Sequence, residues 1–415
     1  MEKLTFTIDG YSFSTAFNTA AKREQCAEKI LSTTGRHYSW YKENTGNKNW
    51  ILYDTEQYEV RNFDDIKYLV LNNRLMDVKT FLCVRRDFKG KLHLPINAST
   101  CSFMFVDSNV PEIDLTEFDT TNVVDMDYMF LEANLGDCLS LVSSTITQAN
   151  TPDRNILTLN TEGVISMSGM FKDCKVKHLD LRNLMTDNVT DFSDMFCSCN
   201  DLIDLNVDGF DTSKAKDFHG MFQGCIKLTQ LNVKHFNVDN VLHMSCLFSR
   251  CLRLKVINLE SWDFSQVSDA NEMFAYCEKL EKIIANFNFK MIKEMAFMFC
   301  YCTKLSKVDL SHSDLSHVFD FGYAFFKCEG LKEIRFSPGV WRKAKYTLSM
   351  FDNCKALERL NLPDVVLDDV VRSYAMFDDC DSLKEIYMEH PLNLEKYAHG
   401  LIFGNCKAEV KKSTE

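Results

Sequence analysis

The apolar positions of the chain repeat with a period of about 26 residues from roughly residue 100 onward. Each unit contains the pattern Leu-x-x-Leu-x-Leu, as at Leu357, Leu360 and Leu362, and such alternation predicts a short strand. An aromatic residue and a polar turn follow, because Asp, Thr and Ser side chains, as in residues 210–213, can bond nearby backbone amides. A Met-Phe-x-x-Cys segment completes the unit, and we expect it to form a short helical turn.

The phenylalanine of the Met-Phe segment marks twelve copies of the unit. Successive phenylalanines are 25 or 26 residues apart, except for a step of 41 residues from Phe130 to Phe171. That step carries about 16 extra residues, which places an insertion within residues 134–155. The anchor residues are Phe105, Phe130, Phe171, Phe196, Phe222, Phe248, Phe274, Phe299, Phe325, Phe351, Phe377 and Phe403.

A unit of this length cannot bury its own apolar face, whereas stacked units share a continuous core. We therefore expect an α/β repeat protein, a leucine-rich-repeat right-handed solenoid with a parallel β-sheet face and short helical turns. The repeat explains the composition, since ten of 17 Cys, twelve of 32 Phe and nine of 18 Met occupy fixed repeat positions. We expect the solenoid to span residues 99–410, with a spine of phenylalanines beside a ladder of unpaired cysteines.

The repeat unit resembles a known family. Leu-x-x-Leu-x-Leu, then Phe-Asp-Thr-Ser, then Met-Phe-x-x-Cys is similar to the BspA-like leucine-rich repeats, which occur in bacterial surface proteins and mycoplasma lipoproteins. The clearest copy is Leu202 to Cys225, and the resemblance extends from about Cys101 to Cys406. It implies a scaffold that binds other proteins, cells or matrix. We expect no export signal and no wall or membrane anchor, and in this expectation the sequence departs from the family.

Residues 1–98 lack the repeat, and we expect a small α+β domain there. Such a domain can cap the first repeat, or it can carry a second contact or activity of its own. Residues 411–415 form a polar tail. The predicted N-terminal elements are strands at 4–8, 50–53 and 80–84 and a helix from Thr15 to Leu31, with Ser14 as its cap.

Charge and hydropathy narrow the class of partner. There are 47 Lys and Arg against 59 Asp and Glu, a net charge of −12, which disfavours direct nucleic-acid binding and favours a protein or ribonucleoprotein with a basic surface. We find no apolar run of about 18 residues, so we expect no membrane span. The first ten residues, MEKLTFTIDG, contain no apolar signal region, so we expect a cytoplasmic protein with reduced thiols.

Catalytic and metal-binding patterns are weak. No phosphate-binding glycine motif, metalloprotease motif or nucleophile elbow occurs. In the pairs Cys197/Cys199 and Cys300/Cys302, the second cysteine is the repeat cysteine, so repeat packing explains them better than zinc. Asp204-x-Asn206-x-Asp208 begins like a calcium loop, but the required Glu is replaced by Ala215. We therefore expect no cofactor, no metal and no enzymatic activity.

The binding surface is predicted from the strand positions that point away from the core. These positions are acidic or amide in the early strands and include several cations in the later ones. A varied face on a regular scaffold is typical of a recognition surface, although a solvated face without a partner stays an alternative. The predicted residues are Asp204, Asn206, Gln230, Asn232, Asn258, Lys282, Lys307, Asp309, Glu333, Arg335, Arg359, Asn361, Glu385 and Tyr387, beside apolar Val256 and Ile284.

Three functional classes follow. The first is an intracellular protein-binding scaffold, in a sharper form an inhibitor of a basic nucleic-acid-handling enzyme, as in phage or pathogen counter-defence. The second is a surface adhesin or a binder of host cells or matrix, which the family resemblance implies. The third, an enzyme with its active site in residues 1–98, has no supporting constellation of residues.

Overall fold

The fold is described by a computed structural model for residues 4–8, 11–15, 29, 38–42, 50–54, 90–91, 100–114, 120–142, 155–341, 343–362, 373–388 and 402–412. Two antiparallel hairpins come first in the chain. Strand β1 (Leu4–Ile8) pairs with β2 (Tyr11–Thr15), and β3 (Tyr38–Lys42) pairs with β4 (Trp50–Asp54). The predicted strands at 4–8 and 50–53 are thus present, and the one predicted at 80–84 lies outside the described residues.

The predicted start of the N-terminal helix is wrong. Ser14 and Thr15 are the last residues of β2, where Ser14 pairs with Thr5 and Thr15 pairs with Leu4. Strands β1 and β2 are rich in threonine, which is β-branched, and in aromatic residues. Both residue types favour an extended backbone here over a helix cap. Of the remainder of that predicted helix, only Lys29 is described, and it is helical.

Parallel strands form one row along the repeats. All pairings among them are parallel, and alternate side chains are buried, for example over residues 256–259, 307–310 and 359–362. The strands are β5 (Gly90–Lys91), β6 (Ile113–Asp114), β7 (Cys138–Val142), β8 (Asn155–Thr158), β9 (His178–Asn183), β10 (Asp204–Asn206), β11 (Val256–Leu259), β12 (Lys282–Ala285), β13 (Lys307–Leu310), β14 (Glu333–Phe336), β15 (Arg359–Leu362), β16 (Glu385–Met388) and β17 (Glu409–Lys412).

The insertion changes the order of strands. Strand β8, which begins at the end of the predicted insertion, pairs with β7, and β7 pairs on its other edge with β9. The sheet order is therefore β10-β9-β7-β8. The extra residues add a strand out of chain order, which extends the hydrogen-bonded sheet. Residues 143–154 of the insertion lie outside the described part of the chain.

The core is a column of stacked phenylalanines. The twelve anchor rings contact one another in chain order, with centroid distances of 5.2–5.8 Å and interplanar angles of 28° or less. All twelve side chains are fully buried. Offset stacking adds about 0.5–1.5 kcal/mol per pair to the transfer free energy of burial. The repeat prediction is confirmed by this column, because each unit contributes one ring.

Apart from Ile402 and Phe403 in the last copy, the Met-Phe-x-x-Cys segments are not helical, so the predicted short helical turns are wrong. The N–H groups of Gly169, Phe171 and Asp173 bond to carbonyls of the next repeat at 2.7–2.8 Å. The intervening N–H groups close four-residue turns within the repeat, and Gly169 and Asp173 have left-handed φ angles of 56° and 57°. A helix would direct all of these N–H groups along its own chain, and it would lose the bonds between repeats. We call this continuous series of bonded turns the turn ladder.

The repeat cysteines hold the turn ladder together. The thiol of Cys277 donates to the carbonyl oxygen of Phe248 in the preceding repeat at 3.0 Å, and its backbone N–H donates to Phe274 of its own repeat at 3.2 Å. Burial raises the pKa of the Cys277 thiol well above its ordinary value, so the thiol keeps its proton. The same thiol bond, at 2.7–3.3 Å, occurs at Cys174, Cys199, Cys225, Cys251, Cys302, Cys328, Cys354 and Cys380.

No described helix has the length and apolar character that crossing a membrane requires.

Candidate functional site

The candidate site is the outward side of the parallel strands, which we call the strand face. Twelve of the fourteen predicted residues lie in β10 to β16, where the neighbouring strand positions are buried against the core. Strand register aligns them in columns: Lys307 is opposite Glu333, and Asn361 is opposite Tyr387. The other two, Gln230 and Asn232, are exposed in a segment that forms no strand.

The beginning of the strand face is acidic. Asp204 accepts a hydrogen bond from the ring of His178 on the adjacent strand, with 2.6 Å between Oδ2 and Nδ1. Arg182 turns back onto Asp180 of its own strand at 2.7 Å. Both pairs are at least partly exposed to solvent, so each is worth under about 1 kcal/mol of stability.

The sheet is interrupted between β10 and β11. The intervening repeat keeps Leu228 and Val233 buried, yet the backbone groups of residues 229–231 form no backbone hydrogen bond with any described residue. The side chain of Asn232 instead donates to Asp208 Oδ1 at 2.8 Å. The break leaves a cleft of about 680 Å³, the first cleft, lined by Asp204, Leu205, Asn206, Asp208, Thr229, Gln230, Leu231, Asn232, Lys255, Val256 and Asn258.

A second interruption separates β12 from β13, which are not hydrogen-bonded to each other. It opens a cleft of about 640 Å³, the second cleft, with Lys282 on one edge and Lys307 and Asp309 on the other. Lys282 forms no ion pair with a described residue, and Ile284 adds an apolar surface between the charges. The second cleft therefore joins an unpaired cation to an apolar floor.

Most cations on the later strands lie close to carboxylates of the same strand or of the neighbouring strand. Lys307 lies 3.2 Å from Glu333, Arg335 lies 2.7 Å from Glu333 and 3.8 Å from Asp309, and Arg359 lies 3.1 Å from Glu385. The hydrogen bond from Lys307 lowers the pKa of Glu333, so this carboxylate is charged at neutral pH. These residues form a ladder of ion pairs, and a partner there meets alternating charge and no cationic band.

No metal or cofactor site emerges from the described residues. No group of three or more His, Cys, Asp or Glu side chains in the described ranges is placed to hold a metal ion. Cys199 and Cys302 bond backbone carbonyls, as the repeat requires. Asp204 and Asn206 of the calcium-like sequence lie in β10, where Asn206 accepts the backbone N–H of Asp208 at 3.0 Å.

The two clefts were not predicted from the sequence. The repeat pattern of residues 228–233 matches that of its neighbours, so it predicts a strand where the sheet is in fact broken. At the second cleft the step from Phe274 to Phe299 is 25 residues, one fewer than in the flanking repeats. The step from Phe171 to Phe196 is equally short, yet β9 and β10 pair in register, so a shortened repeat does not by itself mark a break.

Comparison with known proteins identifies the family. Five overlapping segments match the Mycoplasma protein family of unknown function DUF285, at residues 97–204, 131–257, 165–286, 243–364 and 277–390. Together they cover residues 97–390 of the 415. The chain belongs to the DUF285 family. The sequence-based assignment to this type of bacterial repeat is therefore confirmed.

The chain was also compared with curated proteins and with solved structures. No curated protein matches the chain. A solved structure of a leucine-rich cell surface protein from Faecalibacterium prausnitzii A2-165 is similar at 15% sequence identity and a TM-score of 0.27. That similarity covers 68% of this chain and 89% of the other.

Proposed function

We propose that this DUF285 protein is a non-enzymatic scaffold that binds a protein partner through its strand face. The observation that carries the proposal is the first cleft. There the core of the repeat stays regular while the backbone groups of residues 229–231 are left without backbone partners. Unbonded sheet edges are ready to pair with another chain, and proteins use them for recognition or cover them.

The chemistry of the first cleft favours a partner with basic and polar side chains. Asp204 and Asp208 supply carboxylates, and amide groups surround them. Val256, 45% exposed, adds an apolar contact at the centre of this polar surface. Protein interfaces combine apolar contact with hydrogen bonding in this way. The net charge of −12 would draw a basic partner towards the same region.

A finer form of the proposal concerns the kind of partner. Basic proteins include the enzymes that handle nucleic acids, and a scaffold covering the substrate channel of such an enzyme would inhibit it. The competing form is a surface binder of host cells or matrix, which would use the same strand face. Protease treatment of intact source cells, followed by immunoblotting of the chain, separates the two, because only a surface protein is cleaved.

The experiment that tests the proposal compares two double charge reversals in the full chain. Asp204→Lys with Asp208→Lys inverts the first cleft. Glu162→Lys with Asp239→Lys changes net charge by the same amount at exposed positions away from the cleft. Tagged wild-type and variant proteins are incubated with reducing lysate of the source or its host, and captured proteins are quantified by mass spectrometry.

A partner of the strand face is one that the wild type and the control variant capture equally and the cleft variant loses. Its purified form should bind with a Kd that rises steeply with salt, because charge attraction contributes. The proposal fails if every captured protein binds the cleft variant as well as the control. Circular dichroism of the variants establishes that both retain the fold.

A further inference from the structure

A second candidate surface lies on the turn ladder, away from the strand face. In several repeats the side chains two positions before and two positions after the anchor phenylalanine are small or acidic, as in Gly220 and Gly224. In the three consecutive repeats anchored at Phe274, Phe299 and Phe325, four of these six positions and one neighbouring residue are aromatic, whereas Phe103 and Tyr128 form a single stacked pair elsewhere. We call this group the aromatic patch: Tyr276, Phe297, Tyr301, Tyr323 and Phe326, each partly exposed.

The rings of the aromatic patch contact one another. Tyr276 stacks on Tyr301, and Phe297 stacks on Tyr323, each with 4.8 Å between ring centroids. Phe326 lies edge-on to both Tyr301 and Tyr323, with centroids 5.5 Å away in each case. The five rings therefore form one continuous apolar surface across neighbouring repeats.

The backbone makes this placement costly. Four of the five rings sit on residues with left-handed φ angles of 56–60°, where Gly, Asn or Asp would be less strained. Left-handed geometry brings the Cβ atom of an ordinary residue too close to the following carbonyl oxygen, which is unfavourable. Ring stacking offsets part of this strain but leaves the ring edges in water. The left-handed geometry belongs to the repeat, because Asp173 and Glu272 share it, but the fold does not require aromatic side chains at these positions. The four are Tyr276, Phe297, Tyr301 and Tyr323.

One cation lies over the outer ring face at each end of the stacked tyrosine pair. The Arg250 guanidinium lies 4.8 Å from the ring centroid of Tyr276, and Lys327 Nζ lies 4.8 Å from that of Tyr301. Neither cation forms an ion pair with a described residue, in contrast to Lys307, Lys355 and Arg359. With the rings also 4.8 Å apart, the two positive charges are separated by about 14 Å along the repeat axis.

We propose that the aromatic patch is a docking site for an extended acidic segment of a protein partner. The segment would place two carboxylates on Arg250 and Lys327 and apolar side chains against the exposed ring edges between them. An extended chain advances about 3.4 Å per residue, so carboxylates four residues apart span the distance and point to the same side. Tyr, Phe and Arg are the residues that dominate binding energy at protein interfaces.

The geometry disfavours other occupants. Nucleic-acid bases need exposed ring faces for stacking, and here the two faces of the tyrosine pair are covered by each other and by the cations. An anionic membrane needs a cluster of several cations, whereas this protein carries a charge of −12. The proposed segment is acidic, the opposite of the partner proposed for the first cleft, so the two proposals succeed or fail separately.

The test is selection of random twelve-residue peptides, displayed on phage, against the immobilised full chain. Enriched peptides are synthesised with a fluorescent label, and their Kd is measured by anisotropy. Two double variants serve as probes: Arg250→Gln with Lys327→Gln removes both charges, and Tyr276→Asn with Tyr301→Asn removes the rings, with Asn tolerated at left-handed φ. Glu272→Gln is the matched control, since it removes a carboxylate from the same ladder.

We expect peptides with two acidic residues four apart, separated by apolar ones, and a Kd raised at least tenfold by either double variant. Glu272→Gln should leave the Kd unchanged or lower it. The proposal is overturned if no peptide is enriched, if enriched peptides lack the acidic pair, or if Asp204→Lys with Asp208→Lys abolishes binding. Concentration-dependent dimerisation that both double variants abolish would assign the patch to a second copy, which also overturns it.

Discussion

At the scale of the residue, the repeat cysteine is a hydrogen-bond donor as well as a small apolar side chain. Its thiol reaches the carbonyl of the preceding anchor phenylalanine in nine described repeats. The carbonyl has two lone pairs, and in most repeats one already accepts the backbone N–H of that repeat's own cysteine. The thiol satisfies the second lone pair and ties one repeat to the next.

Substitution of Cys277 separates the two roles. Serine keeps a donor for the carbonyl of Phe248, whereas alanine removes it and leaves a small cavity. We expect Cys277→Ala to lower the free energy of unfolding by about 1–3 kcal/mol and Cys277→Ser to lower it by less. Urea unfolding in reducing buffer measures both. If the cysteine acts only by apolar packing, the order of the two variants reverses, because serine would bury a hydroxyl without benefit.

The half-buried carboxylates of the turn ladder give a prediction about pH. Burial, with a further contribution from Asp191, raises the pKa of Asp217, while its Oδ1 accepts the backbone N–H of His219 at 2.7 Å. The folded state therefore binds this proton more tightly than the unfolded state, whose pKa is near 3.8. Stability from this group is highest below that value and falls as pH rises through the folded pKa.

Asp217→Asn keeps the acceptor and removes the charge. We expect the variant to melt at a higher temperature than the wild type at pH 7 and at nearly the same temperature at pH 3. Thermal melts from pH 3 to pH 8 record the difference. A difference that does not change with pH, or a variant that is less stable at pH 7, would contradict the assigned cause.

At the scale of the element, the sequence predicts strands better than it predicts the turn ladder. The Leu-x-x-Leu-x-Leu pattern appears as a strand in most described repeats. The Met-Phe segment buries Met126, Met129, Phe130 and Ala133, which is the spacing of an amphipathic helix. The segment is not a helix because bonds to the next repeat compete with bonds inside it. Such bonds depend on the neighbour, so a single repeat does not reveal them.

On the strand face, too, features within one strand could be predicted from the sequence, and contacts between strands could not. Outward positions such as Lys307 and Arg359 follow from the two-residue period of a strand. Their ion pairs with Glu333 and Glu385 depend on register between strands, which the sequence of one strand does not contain. The first cleft depends on a missing set of backbone bonds, and the repeat pattern of that unit gives no sign of it.

The turn ladder predicts that glycine improves an exposed left-handed position. Glu132 is exposed, has a φ angle of 57°, and donates its N–H to Lys172 of the next repeat at 2.9 Å. Glu132→Gly should raise the free energy of unfolding by about 0.5–1 kcal/mol, because relief of strain exceeds the entropy that glycine adds to the unfolded chain. Chemical denaturation measures the change. Glu132→Ala is the control, since it removes the charge but keeps the strained Cβ.

Comparison of the two Glu132 variants separates the effect of the carboxylate from that of the backbone in the turn ladder. If the alanine variant gains as much stability as the glycine variant, the carboxylate causes the change and the backbone does not. If the glycine variant loses stability, the left-handed geometry at this position carries little strain. Either result would weaken the argument that aromatic residues at equivalent positions of the aromatic patch are costly.

At the scale of the whole molecule, the stacked repeats contact mainly their neighbours. Each anchor ring touches the ring before and the ring after it, and each ladder thiol bonds one repeat back. Stability in such an array is close to a sum of repeat and interface contributions, so the array can open from an end. Two surfaces of opposite charge preference along one rigid stack would let a single chain hold two different partners.

Thiol labelling can follow that opening repeat by repeat. Burial raises the pKa of the ladder thiols, to about 12 at Cys251, so both access and ionisation protect them in the folded state. Among the described cysteines, we expect the partly exposed Cys138 to react with iodoacetamide first in native buffer, because burial and the nearby Glu272 raise the pKa of Cys246 to about 12 as well. At intermediate urea, Cys380 and Cys406 near the end of the array should react before Cys251 and Cys277, as mass spectrometry of labelled peptides would show. Equal rates at the end and the middle would mean that the repeats unfold as one cooperative unit, and the nearest-neighbour description would then be wrong.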